Sequence, residues 1–208
     1  MKRLMVVTGC VLLLLLSSPA YSAEKNYGRF SLGVAVPYES DLKAPSLPGA
    51  AVRTKYKTGI NVRGAIGHSF EKTRAEFELA YQQNDFDNAN ILGTNVGLKG
   101  DVLVLSFLIN GYYDFKNRSS FTPYVSVGIG YSMIQVNDLN IPPAGISCAT
   151  DEDFVFAYQM GLGVAYTIDE NVSIDLGYRL FTPSDPNFDT TQAEFKSDNI
   201  YLGLIINF

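Results

Sequence analysis

Eight segments of the chain alternate large apolar residues with small or polar ones at a period of two. That is the signature of β-strands whose two faces meet different surroundings. The predicted strands are residues 29–38, 58–69, 74–82, 102–115, 122–135, 154–167, 172–181 and 199–208. In the sixth, Phe156, Tyr158, Met160, Leu162, Val164 and Tyr166 oppose Ala157, Gln159, Gly161, Gly163 and Ala165. The fourth is the least regular, because Val104 and Leu108 join Ser106, Asn110, Tyr112 and Asp114 on its second face.

No charged residue falls on any of the apolar faces, and the opposite faces are mostly Gly, Ala and Ser with a few charges. A soluble sandwich would show water-facing Lys, Glu and Thr instead. Large apolar residues outside and small or polar ones inside suit a narrow barrel in lipid. Closure also leaves no unpaired edge, the condition for a sheet to cross hydrocarbon. The expected fold is an eight-stranded antiparallel up-and-down transmembrane β-barrel. Its connections alternate short (68–73, 116–121, 168–171) with long (39–57, 84–101, 136–153, 182–198), as expected for periplasmic turns and four extracellular loops. Leu204, Ile206 and Phe208 close the chain at alternate positions and form a candidate C-terminal assembly signal.

The amino terminus breaks the pattern. Lys2 and Arg3 precede an apolar run through Leu16, and Ala20 and Ser22 fit the small-residue positions before a cleavage point. Residues 1–22 therefore read as a secretory signal peptide, leaving a barrel domain over 23–208. A lipoprotein reading at Cys10 would leave only Leu4 to Thr8 as apolar core, which is short for a signal sequence. No remaining stretch reaches the roughly 18 apolar residues of a membrane helix.

Charge sharpens the picture. After cleavage fourteen bases face twenty-one acids, and the four long loops carry +2, −2, −4 and −3 in order. The strands and turns are thus neutral overall and the acidity lies in the loops. An acidic chain argues against nucleic-acid binding. Cys148 is the single mature cysteine, so no intramolecular disulfide is available.

Two long stretches carry a resemblance. Pro123-Tyr124-Val125-Ser126-Val127-Gly128-Ile129-Gly130-Tyr131-Ser132 is one, and the other runs from Phe156 to Tyr166 and on through Asn171 to Arg179. They resemble the opacity-like outer-membrane β-barrel family, and the surface-antigen family of intracellular bacteria is similar in the same places. The likeness is strongest over 121–181 and the last ten residues. It implies a small surface-exposed barrel in the outer membrane of a Gram-negative bacterium, acting as an adhesin, antigen, modest porin or structural protein. It brings no catalytic motif.

The candidate chemistry is accordingly sparse, with no catalytic, metal or cofactor site expected. His68, the only imidazole, falls at the first short turn, far from where a lipid-modifying enzyme would need it. Gly128/Gly130 and Gly161/Gly163 lack the context of a phosphate loop and read as inward glycines. Cys148, near Asp151-Glu152-Asp153, reads as an idle thiol in an acidic loop. The triplets at Asn117 and Asn171 read as chance matches to a glycosylation acceptor.

The most informative polar set is the predicted barrel interior: Arg63, Glu76, Glu78, Gln159, Asp175 and Arg179. Hairpin parity is expected to pair Arg63 with Glu78 and Gln159 with Arg179. Charges so confined must pair, and eight strands leave room for a packed polar plug rather than a pore.

The expected function is that of a surface-exposed structural or interaction protein, adhesin- or antigen-like, acting through its long loops. The alternative is a small porin-like channel or ligand-binding barrel. Expected partners are outer-membrane lipid and lipopolysaccharide, the barrel-assembly machinery, and a host-cell or extracellular ligand, with no nucleic acid.

Overall fold

The computed structural model describes residues 25–43, 52–91, 94–141, 146–147, 151–184, 187–188, 191–193 and 195–208. The predicted signal peptide and Cys148 lie outside the described residues. Eight long strands form the body: β1 (Lys25–Pro37), β2 (Gly59–Ser69), β3 (Thr73–Ile91) and β4 (Lys99–Asp114) in the first half. The second half adds β5 (Phe121–Ile141), β6 (Asp151–Thr167), β7 (Val172–Pro183) and β8 (Ser197–Asn207).

Each strand pairs antiparallel with its sequence neighbours. β8 returns to β1 from Tyr27↔Asn207 to Pro37↔Ser197, so the ring is closed and none of its eight strands is left as an open edge. The side-chain period of two then sorts the residues. Val127, Ile109 and Met160 point outward with 66%, 64% and 51% of their surface exposed, while their neighbours Ser126, Asn110 and Gln159 are buried. Outward Ile200, Leu202, Leu204, Ile206 and Phe208 span about 27 Å along β8. At a tilt near 40° that is about 20 Å of membrane thickness, close to the apolar band of such barrels.

The short turns 70–72, 115–120 and 168–171 lie at the end of the barrel that also carries Lys25 and Asn207. Asp169 Oδ1 accepts the N–H groups of Asn171 and Val172 at 2.8 Å each, which fixes the third turn.

The opposite end departs from the sequence expectation. β3 continues nine residues past the predicted end at Gln82, β5 runs to Ile141 rather than Gln135, and Asp151-Glu152-Asp153 open β6 instead of lying in a loop. Much of the predicted second loop is therefore strand. The ladder persists above the membrane, as at Asn84↔Val102, although apolar alternation fades where both faces meet water. Backbone pairing, not hydrophobic alternation, marks these residues as strand. Gly100, at φ 119°, occupies the shift of register between Lys99 and Asp101, a backbone conformation that L side chains rarely adopt.

Five short strands extend this tall wall sideways. Asn187–Phe188, Thr191–Ala193, Ser40–Lys43 and Val52–Tyr56 join in that order to the upper end of β3, and Thr94–Gly97 pairs with β3 as well. They make a small extracellular sheet.

Two expected registers are corrected. Ser69 pairs with Arg74, which sets Arg63 opposite Ala80 and Glu78 opposite Ala65. Gly161, not Gln159, stands opposite Arg179, and Gln159 faces Phe181. In both hairpins the turn is centred one residue later than expected, because Ser69 continues its ladder and Asp169 holds the following turn. Moving a centre by one residue moves each partner by two, so inward residues stay inward.

Candidate functional site: a filled barrel beneath an extracellular sheet

The interior has two zones. In the lower one, toward the short turns, four arginines (Arg29, Arg63, Arg74, Arg179) and four carboxylates (Glu76, Glu78, Asp114, Asp175) are buried. Their charges balance. An isolated ion in this space would be prohibitively unfavourable, and the geometry shows how seven of the eight are matched.

Glu78 is the hub. Its two oxygens accept from Arg179 Nη1 at 2.8 and 2.6 Å, from Arg29 Nη2 at 3.0 Å and from Gln159 Nε2 at 3.2 Å. Arg29 also reaches Glu76 at 2.8 Å and Asp175 at 3.2 Å. The Tyr112 hydroxyl uses its whole capacity, donating to Glu76 at 2.8 Å while accepting from Arg29 and Arg179. Tyr124 donates to Asp175 at 2.6 Å, so its contact with Tyr201 at 3.0 Å has Tyr201 as donor. Below them Arg74 grips Asp114 through Nε and Nη2 at 2.9–3.2 Å, a bidentate pair. Tyr27 donates to Glu76 at 2.8 Å.

Inward glycines make room for these rings. A Cβ on Gly177 would stand 2.3 Å from the Tyr201 hydroxyl, and one on Gly163 would stand 2.3 Å from that of Tyr124. Bulky tyrosines on β5 and β8 thus require bare backbone on β6 and β7.

The upper zone is divided between two walls. On the side of β1–β3 and β8 runs a ladder of amides. Asn61 donates to Asn199 at 3.0 Å, Asn199 to Ser197 Oγ at 3.0 Å, Ser197 to Gln82 at 3.2 Å and Gln82 to Asn84 at 2.8 Å. On the other wall Val102, Val104, Leu108, Ile134, Val155, Ala157 and Phe181 form an apolar cluster. Phe86 and Ala89 from the upper end of β3, Leu98 just before β4, and Phe195 complete it, with Tyr56 packed 5.3 Å from Phe86 and 5.7 Å from Phe195. Burial in this cap pushes the Tyr56 hydroxyl up to about 12. The weak alternation of β4 thus has a structural reason: Val104 and Leu108 belong to the apolar seal.

Outside, aromatic residues ring both ends of the lipid-facing surface, as at Phe121, Tyr166 and Phe208 below and Tyr38, Tyr131 and Phe154 above. At the upper rim Asp198 accepts from Tyr38 at 2.9 Å and from Tyr178 at 2.6 Å. His68 lies at the turn end, with Nδ1 2.9 Å from Asn26 Oδ1.

All six interior residues singled out from the sequence are buried, and five of them belong to one hydrogen-bonded system. Arg63 stands apart: its guanidinium lies 4.7 Å from the Tyr201 ring centre and Nη1 has no hydrogen-bond partner among the described residues. Sequence reasoning missed Arg29, the pair Arg74–Asp114, and the four tyrosines. Arg29 shares parity with Ser31 and was legible as inward. Tyr112, Tyr124 and Tyr201 fall on the inward faces of the predicted strands and Tyr27 just precedes the first, but the charges their hydroxyls reach are set only when the ring closes around them.

A closed eight-stranded ring with an apolar exterior and a neutral, filled interior defines an outer-membrane β-barrel protein. Residues 8–208 match the family described as outer membrane protein beta-barrel domain, and the chain belongs to that family. It resides in the outer membrane of a Gram-negative bacterium with its tall end at the cell surface. It is 33% identical over 87 residues to outer membrane protein PagN of Salmonella typhimurium, a stretch covering 41% of this chain. It is also 27% identical over 92 residues to RC1281 of Rickettsia conorii, described as a candidate adhesin, again over 41% of this chain. The matched stretches span 36% of each of these relatives. The crystal structure of Neisserial surface protein A matches in fold with a TM-score of 0.59 at 15% identity, covering 90% of this chain and 100% of that one.

Proposed function

We propose that this barrel is a non-enzymatic surface adhesin whose binding surface is the extracellular sheet built on β3. The observation that carries this reading is the filled lumen. Charged groups bridge its lower half and an apolar cluster packs one wall of its upper half, so the ring serves as a stand for what rises above it. The relatives described as an outer membrane protein and a candidate adhesin support the same reading. Against catalysis, the sole histidine lies at the periplasmic end, remote from the surface.

The partners that follow are outer-membrane lipid and lipopolysaccharide around the girdles and a host-cell or extracellular ligand above. The exposed, alternating Leu204, Ile206 and Phe208 suit recognition by the barrel-assembly machinery. Replacing residues 39–57 by a short Gly-Ser turn, in cells displaying the barrel at unchanged level, tests the adhesin. Host-cell binding should fall at least tenfold. Unchanged binding would remove the extracellular sheet as the binding surface. Steady single-channel conductance of the parent in planar bilayers would favour the channel alternative.

A further inference from the structure

We propose that the barrel interior contains a built site for one ordered water molecule, bridging Arg63 and Asn61 where the charged zone meets the amide ladder. Arg63 and Asn61 are 5% and 2% exposed, and both line a cavity whose water-accessible space is about 10 Å³. That is the room one water needs. Arg63 Nη1 and Asn61 Oδ1 are the atoms left without a hydrogen-bond partner on these two residues. One is a donor and the other an acceptor.

This pairing decides the chemistry of the ligand. Arg29, Arg63 and Arg179 already balance Glu76, Glu78 and Asp175, so an anion would bring an uncompensated charge into the interior. It would also face the Asn61 carbonyl oxygen. The amide cannot simply reverse, because Asn61 Nδ2 donates to Asn199 Oδ1 at 3.0 Å while Asn199 Nδ2 is held by Ser197. A cation would meet the Arg63 guanidinium. Water alone among these accepts from Arg63 and donates to Asn61 without changing the charge.

The stacking of Arg63 on Tyr201 covers one face of its guanidinium and leaves the in-plane N–H groups to be satisfied. With the water in place, hydrogen bonding continues from Arg63 through Asn61, Asn199, Ser197 and Gln82 to Asn84 near the upper rim. The site therefore joins the ladder to Arg63, the arginine of the charged zone that sits on the same strand as Asn61.

A crystal structure of the refolded barrel at a resolution that shows ordered solvent tests this, with a second crystal soaked in bromide. The expected result is one solvent peak within hydrogen-bond distance of both Arg63 Nη1 and Asn61 Oδ1, and no bromide anomalous signal there. Asn61→Leu, checked for folding by its heat-dependent gel mobility, should lose the peak. If that variant does not fold, the parent crystals decide alone. A bromide peak, a site without density, a side chain swung in to close the gap, or a peak that persists at full occupancy in Asn61→Leu would each overturn the proposal.

Discussion

Arg179 on β7 reaches Glu78 on β3 across the full width of the barrel, since the two strands stand four places apart in a ring of eight. Its Nη1 lies 2.8 and 2.6 Å from the two carboxylate oxygens. The bridge links opposite walls directly, and Arg29 joins it from β1 at 3.0 Å. A strut across the lumen both resists deformation of the ring and obstructs passage through it.

Removing one member of such a buried pair leaves the other uncompensated, a loss of about 3–5 kcal/mol. Glu78→Gln should therefore lower the stability of the folded barrel in vesicles by that amount, measured by urea titration. Glu78→Met combined with Arg179→Met should be less damaging than the sum of the two single changes. Equal stabilities of parent and Glu78→Gln would mean that the strut is not a source of stability.

Gly177 gives a steric counterpart. A Cβ there would stand 2.3 Å from Tyr201 Cζ and from its hydroxyl. Overpacking of this kind typically destabilises by about 1–3 kcal/mol. Gly177→Ala should fall in that range, and adding Tyr201→Phe should relieve little, because the ring carbon clashes as well as the oxygen. Full rescue by Tyr201→Phe would show that the ring itself has room to move.

The outward face answers to lipid. Leu162 is 59% exposed on β6, and a positive charge near the bilayer midplane costs about 2–4 kcal/mol. Leu162→Arg should lose that much in vesicles and refold normally in detergent micelles that let the side chain reach water. Parent-like stability in bilayers would reverse the assignment of faces on β6.

The period of two made the eight strands, their faces and the buried status of Arg63, Glu76, Glu78, Gln159, Asp175 and Arg179 legible, because lipid outside and a narrow lumen inside constrain every second residue. That constraint ends at the membrane surface. Above it Asn84, Asp85, Asn88 and Asn90 place polar residues on both faces, so the continuation of β3 to Ile91, plain in its backbone ladder, left no trace in the hydrophobic pattern. Partner identity was hidden for a different reason. Contacts such as Arg29–Asp175 join strands that are not neighbours in sequence, and only the diameter and stagger of the ring bring them together. Register failed by two residues because a turn's centre depends on local hydrogen bonding rather than on hydrophobic period.

Register can be read by cross-linking. In a Cys148→Ser background, Arg63→Cys with Ala80→Cys should oxidise readily, since residues directly opposite on an antiparallel pair have Cβ atoms about 4.5–5.5 Å apart. Arg63→Cys with Glu78→Cys sits on the diagonal, about 7–8 Å apart, and should react poorly. Energetics should agree with geometry. A double-mutant cycle on Arg63 and Glu78 should give weak coupling, because Arg63 donates no hydrogen bond to that carboxylate, whereas the cycle on Arg179 and Glu78 should exceed about 1 kcal/mol. Efficient oxidation of the Arg63–Glu78 pair, together with the stronger coupling there, would return the hairpin to the register in which those two residues face each other.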